Sequence, residues 1–96
     1  MGGEAIIAKQ NRYMRKFRER RAVSGDSAVT LAELGQRDSW VFRGLVKRGV
    51  IHNAGADRFY LDQQAADAFV ERRRQVFVWS LAALVIVALV IALAAR

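Results

Sequence analysis

The chain has 96 residues, of which 53% are hydrophobic and 26% are charged, and its formal net charge is +7. Residues 76–95 carry no charge, whereas residues 1–75 contain 15 Lys or Arg against 9 Asp or Glu. About 75 residues suffice for one small domain and exclude a second one. Because the sequence contains no cysteine, disulfides, thiolate metal sites and cysteine catalysis are also excluded.

The first predicted element is a helix over residues 4–22, followed by the turn-forming sequence SGDSA. Five apolar residues recur at near-helical spacing and form its buried stripe: Ile6, Ile7, Tyr13, Met14 and Phe17. Seven basic residues occupy the remaining faces: Lys9, Arg12, Arg15, Lys16, Arg18, Arg20 and Arg21. The N-terminal residues lack the apolar segment of a secretory signal peptide, so we expect no export signal before the domain.

Residues 30–49 predict two short helices joined by a tight turn. In TLAELG, Thr30 is expected to cap the helix, Glu33 to complete a capping box and Gly35 to end it. The turn QRDS follows, and either Asp38 or Ser39 caps the helix WVFRGLVKRG. Its predicted buried residues are Val41, Phe42, Leu45 and Val46.

Residues 50–62 change to a strand pattern, in which apolar segments flank the turn-forming sequence NAGAD and predict a two-stranded hairpin. Asp62 can cap a last helix that contains neither Gly nor Pro. We expect this helix to run unbroken from Gln63 to Ala95, a length of about 50 Å.

The sequence VFVWSLAALVIVALVIALAA, residues 76–95, predicts a transmembrane helix. Twenty helical residues span roughly the 30 Å hydrocarbon core of a bilayer, and this segment is apolar on every face. The basic residues before it place residues 1–75 in the cytoplasm by the positive-inside rule. We therefore expect a tail-anchored, single-pass protein of the cytoplasmic membrane, with its N-terminus in the cytoplasm.

Residues that flank or line the span have separate expected roles. The lipid headgroup contacts are predicted to be Arg72, Arg73, Arg74, Trp79 and Arg96. Ala88 and Ala92 make one small-xxx-small step, which permits close packing of two such helices in a homo-oligomer.

The stretch TLAELGQRDSWVFRGLVKRGVIHNAGADRFYL, residues 30–61, resembles winged helix-turn-helix domains. LAELG is similar to the first helix of that motif, LVKRGVI to the helix end that leads into the wing, and DRFYL to the returning strand. Over its whole length the chain resembles short, uncharacterised bacterial tail-anchored proteins. This resemblance implies a mainly α fold with a small β-hairpin wing, a helix-turn-helix over 30–49, a wing over 50–62, and one C-terminal transmembrane helix.

In winged-helix domains that bind DNA, the second helix of the motif enters the major groove and the wing contacts the backbone. By position, the resemblance implies base-facing or partner-facing residues at Gln36, Arg37, Ser39, Trp40 and Arg43, and phosphate contacts at Lys47, Arg48 and Arg58. However, Gly44 interrupts the short second helix, and Trp40 stands where small polar residues usually read bases. The densest positive charge also lies on the first helix, and these departures favour a protein partner over nucleic acid.

No combination of nucleophile, base and orienting group is evident, so we expect no catalytic site, cofactor or metal. His52 is the only histidine and is interpreted as structural or exposed, while Trp40 and Tyr60 are interpreted first as packing residues. The sequence thus predicts a noncatalytic accessory protein that docks a protein partner or membrane complex. Two alternatives stay open: a membrane-tethered DNA-binding regulator, and a homo-oligomeric membrane scaffold.

Overall fold

A computed structural model describes residues 2–96 of the chain. The fold is mainly helical, with one small antiparallel sheet and one long apolar helix at the C-terminal end. In chain order its elements are α1 (Gly2–Glu19), α2 (Trp40–Lys47), β1 (Ile51–Gly55), β2 (Arg58–Leu61) and α3 (Gln63–Ala94). Two single 3-10 turns, Gly25–Ser27 and Ala32–Leu34, lie between α1 and α2.

Helix α1 ends at Glu19, so the predicted end at residue 22 is wrong. The chain turns at Arg21, whose φ of 54° is left-handed. The amide of Ala22 then donates to the carbonyl oxygen of Phe17 at 2.9 Å, and the amide of Arg21 donates to the carbonyl oxygen of Arg18 at 3.0 Å. These are the two hydrogen bonds of a Schellman motif, which ends a helix at a residue with a left-handed φ. The turn at Arg21 lets the chain change direction so that Ala22 is buried.

The predicted helix at TLAELG is a single 3-10 turn, Ala32–Leu34. The expected capping box is present, since the Thr30 hydroxyl accepts from the Glu33 amide at 3.1 Å and the Glu33 carboxylate accepts from the Thr30 amide at 3.0 Å. Gly35 follows with a φ of 67°, a conformation that favours glycine and ends the turn.

The hairpin forms as predicted, but the predicted loop NAGAD is too long. Strand β1 extends to Gly55, with a register shift between Asn53 and Gly55, and the reversal uses only Ala56 and Asp57. Strand β2 also pairs on its other side with Val29, which exchanges two backbone hydrogen bonds with Phe59 at 2.7 and 2.9 Å. The hairpin is thereby fixed to the segment that precedes α2.

One core joins α1, α2 and the hairpin. Its centre is an aromatic row in which the Phe42 ring lies 5.4 Å from Tyr13 and 5.0 Å from Phe59, the second pair edge to face. The largest fully buried side chains are Tyr13, Met14, Phe17, Leu45, Val50, Ile51 and Leu61. Both predicted stripes therefore face the core, although Ile6 and Val46 are only half-buried against it and Ile7 is 40% exposed.

Helix α3 runs for 32 residues without a break, which confirms the continuous helix predicted from the sequence. Asp62 caps it by accepting from the Ala65 amide at 3.0 Å, and its second carboxylate oxygen lies 3.2 Å from Nε2 of His52. The Ala65 hydrogen bond and then the contact with His52 hold the pKa of Asp62 below its usual value of 3.8. Ala66 is buried against the core, whereas every residue from Val76 onward is exposed.

Candidate docking surface

The outward face of α2 carries Trp40, Arg43 and Lys47, all exposed. These residues recur at helical spacing on the side opposite to Val41 and Leu45, which the core buries. Trp40 is 62% exposed, so its interpretation as a packing residue is wrong. We call these three residues, together with the cleft that Arg43 lines between α2 and the hairpin, the α2 surface.

The segment before α2 is fixed by its own hydrogen bonds. The Ser39 hydroxyl accepts from the Phe42 amide at 3.3 Å and lies 2.9 Å from the Tyr13 hydroxyl. Tyr13 also donates to the carbonyl oxygen of Arg37. Ser39 therefore serves as a helix cap, while the Arg37 side chain is exposed and Gln36 is half-buried.

A cleft of about 610 Å³ opens between the Ala32–Leu34 turn, α2 and the hairpin. Leu31, Phe42, Val46 and Phe59 supply its apolar lining. Its charged lining residues have both signs, and Arg43 lies 3.3 Å from the carboxylate of Asp38, with Asp57 on the hairpin side. Arg43, which lines the cleft, is three residues after Trp40, so the two side chains share one face of α2, although Trp40 itself does not line the cleft.

The remaining predicted contacts do not all lie on that surface. Arg58 is exposed at the start of β2, beside the hairpin turn. Arg48 instead places its guanidinium 5.6 Å from the centre of the Phe69 ring of α3. The structure therefore separates Arg48 from Trp40, Arg43 and Lys47.

Arg73 connects α3 to α1, a contact that the sequence analysis missed. Its guanidinium donates to the side-chain oxygens of Gln10 at 2.9 Å and Asn11 at 3.1 Å, and it also lies 5.5 Å from the Phe69 ring. Gln10 is buried and lies four residues from both Ile6 and Met14, within the apolar stripe of α1. A buried polar side chain needs a hydrogen-bond partner, so the presence of Gln10 within the apolar stripe of α1 was the sequence feature that could have indicated a contact of this kind.

The other predicted membrane contacts are exposed along α3. They are Arg72, Arg74, Trp79, Ala88, Ala92 and Arg96. The helix that carries them is long and apolar enough to cross a membrane, with a mean hydropathy of 3.0 over its most apolar window. Comparisons of the chain with protein-family models, with curated proteins and with solved structures found no match.

Proposed function

We propose that this is a noncatalytic, single-pass membrane protein whose winged-helix domain docks a protein partner at the cytoplasmic surface of the bilayer. The exposed apolar part of α3 supports the membrane anchor, because twenty uncharged residues facing water would be strongly unfavourable. Arg72, Arg73 and Arg74 precede the span and support the cytoplasmic orientation.

The arrangement of elements supports a winged helix. Helix α1 is followed by the capped turn at Ala32–Leu34, then by α2 and the β1–β2 hairpin, which takes the place of the wing. The pairing of Val29 with Phe59 adds a third short strand segment to that hairpin. The return of α3 to the same core completes the domain, since Ala66 is buried there.

The exposure of Trp40 is the observation on which partner docking depends. Tryptophan buries a large area when a partner covers it, and Trp, Tyr and Arg are enriched among the residues that dominate interface energies. Trp40 shares the exposed face of α2 with Arg43, which lines a cleft that has apolar residues and charged residues of both signs. A partner with one apolar side chain for the cleft and polar groups around it would match this surface.

The carboxylates on the α2 surface argue against DNA as the principal ligand. Asp38 forms an exposed ion pair with Arg43 at 3.3 Å, and Asp57 stands at the hairpin turn where a wing would approach phosphates, so both carboxylates would repel a DNA backbone. Helix α2 is also short, at eight residues or about 12 Å. DNA binding is retained as the second candidate because Arg37, Lys47 and Arg58 are exposed and, within residues 2–96, form no salt bridge.

Site-specific photocrosslinking in native membranes tests the docking proposal. A photoreactive phenylalanine analogue replaces Trp40 in one full-length variant and Arg12, an exposed residue of α1, in a matched control. We expect one discrete crosslinked protein from position 40 and none of the same mass from position 12. Equal crosslinking from both positions, or none from either, would contradict docking through the α2 surface.

Fluorescence anisotropy of labelled duplex DNA tests the second candidate on the full chain in nanodiscs at 50 and 200 mM salt, concentrations chosen to expose phosphate contacts. Sequence-selective binding that Arg37→Ala and Lys47→Ala both weaken would favour the regulator over the docking protein. The docking proposal expects only weak binding that falls with salt and has no sequence preference.

A further inference from the structure

A second groove, of about 840 Å³, lies between α1 and α3 on a different side of the domain from the α2 surface. Its apolar lining includes Ile6, Ile7 and Phe69, and its basic lining residues are Arg48, Arg72 and Arg73. None of the residues that line it belongs to the cleft between α2 and the hairpin. We call it the α1–α3 groove.

The groove lies at the level of the bilayer surface if the span is inserted as proposed above. Arg18 contacts Asp67 at 3.4 Å, while Arg73, six residues nearer the span, contacts Gln10 and Asn11. The two helices therefore run antiparallel here, and the N-terminal turns of α1 point toward the membrane. Ile6 is four residues beyond Gln10, or about 6 Å, which brings it level with the start of the apolar segment at Val76.

The charge of the groove is not neutralised within the chain. Among residues 2–96, none of its three arginines has a carboxylate oxygen within 4.0 Å. The guanidinium groups of Arg48 and Arg73 both lie within 6 Å of the Phe69 ring, at 5.6 and 5.5 Å. Arg73 also donates hydrogen bonds to Gln10 and Asn11, but the accepting oxygens are uncharged and leave its positive charge available.

We infer that the α1–α3 groove binds one anionic phospholipid, with its phosphate held by Arg48, Arg72 and Arg73 around the Phe69 ring and its upper acyl chain lying against Ile6 and Ile7. Guanidinium groups match phosphate oxygens in geometry and charge. A free phosphate ion would leave the apolar lining uncovered, whereas a phospholipid supplies both parts from the adjacent leaflet. The lipid would also cover Ile7, which is 40% exposed in the domain alone.

Native mass spectrometry of the full-length protein in a mild detergent tests this site. The protein is titrated with phosphatidylglycerol and, separately, with phosphatidylcholine of the same acyl chains. Arg48→Gln and Arg72→Gln are the test variants, because neither side chain donates a hydrogen bond within the described residues. Arg74→Gln is the matched control, since it removes the same charge at nearly the same height but Arg74 does not line the groove.

We expect one tightly retained phosphatidylglycerol per chain, with each test variant weakening its binding roughly fivefold. Arg74→Gln should change it by less than about twofold, and millimolar inorganic phosphate should not displace the lipid. Equal weakening by Arg72→Gln and Arg74→Gln would indicate general surface attraction and overturn the site. Equal retention of phosphatidylcholine, or displacement by inorganic phosphate, would also overturn it.

Flotation of the same protein with phosphatidylcholine vesicles separates this inference from the proposed anchor on which it rests. Protein that floats but retains no phosphatidylglycerol refutes only the lipid site. Protein that does not float refutes membrane insertion and, with it, the position assigned to the groove.

Discussion

Replacing Tyr13 by Phe removes one hydroxyl that connects α1 to the segment before α2. Tyr13 is 2% exposed, and its hydroxyl donates to the Arg37 carbonyl and contacts the Ser39 hydroxyl at 2.9 Å. The ring and its packing against Phe42 remain, so the change isolates the polar contacts. Losing a part-buried hydrogen bond and leaving its acceptor without this donor should cost about 1–2 kcal/mol of the free energy of unfolding.

Urea unfolding of the full chain in a mild detergent, followed by far-UV circular dichroism, measures this cost. The span should stay helical in the micelle, so the change in signal reports the domain. Tyr60→Phe is the matched control, because Tyr60 is half-buried in the hairpin and its ring stacks on His52 at 5.3 Å. Its hydroxyl makes no hydrogen bond within the described residues, and we expect a change below about 0.5 kcal/mol.

A double-mutant cycle with Ser39→Ala tests whether the hydroxyls of Tyr13 and Ser39 interact. Ser39→Ala alone should cost about 1 kcal/mol, because it removes the cap of α2. Since Tyr13 and Ser39 touch, the double variant should lose less than the sum of the two single variants, with a coupling of at least about 0.5 kcal/mol. Strict additivity, or a Tyr13→Phe effect no larger than that of Tyr60→Phe, would refute the connection.

Three further predictions follow from the core, the cap of α3 and the span. Phe42→Ala should lower the free energy of unfolding by about 3–5 kcal/mol, comparable to the whole stability of so small a domain, and should abolish its cooperative unfolding transition. A cooperative transition with a free energy of unfolding within about 1 kcal/mol of the unsubstituted protein would contradict the central place of this ring. The lowered pKa of Asp62 means that its carboxylate stabilises the fold above pH 3.8 and that this contribution is lost as the pH falls through the lowered folded-state pKa. Asp62→Ala should therefore reduce stability at neutral pH, with a deficit that shrinks in acid; an equal deficit at every pH would contradict the role of the charge. The homo-oligomeric scaffold predicts that Ala88→Leu shifts the detergent-solubilised mass toward monomer, measured by light scattering, and an unchanged mass would count against it.

The sequence predicted local features well where a residue type has one dominant use. Thr30 and Glu33 form the capping box, Ser39 and Asp62 cap their helices, and α3 is continuous, since nothing in its sequence breaks a helix. The errors occurred where packing decides how far an element extends. Helix α1 stops at Glu19 because Ala22 has to turn back onto Phe17, and apolar periodicity does not reveal that change of direction.

The tertiary structure also decided which residues belong to each candidate surface. The winged-helix resemblance grouped Arg43, Lys47 and Arg48 as contacts of one surface, but the approach of α3 brings Arg48 to Phe69 and away from the other two. Similarly, Trp40 is large and apolar, and only its position at the start of α2 determines that its ring faces solvent.

The sequence by itself determined the apolar helix, the concentration of charge in residues 1–75 and the positions of the caps. These properties depend on composition and on contacts within a few residues, which local chemistry sets. Only the tertiary structure decided that Gln10 meets Arg73, 63 residues later, and that α1 runs antiparallel to α3 with its N-terminal end toward the apolar segment. The physical reason is that side chains far apart in sequence become neighbours only when the core fixes the directions of the helices.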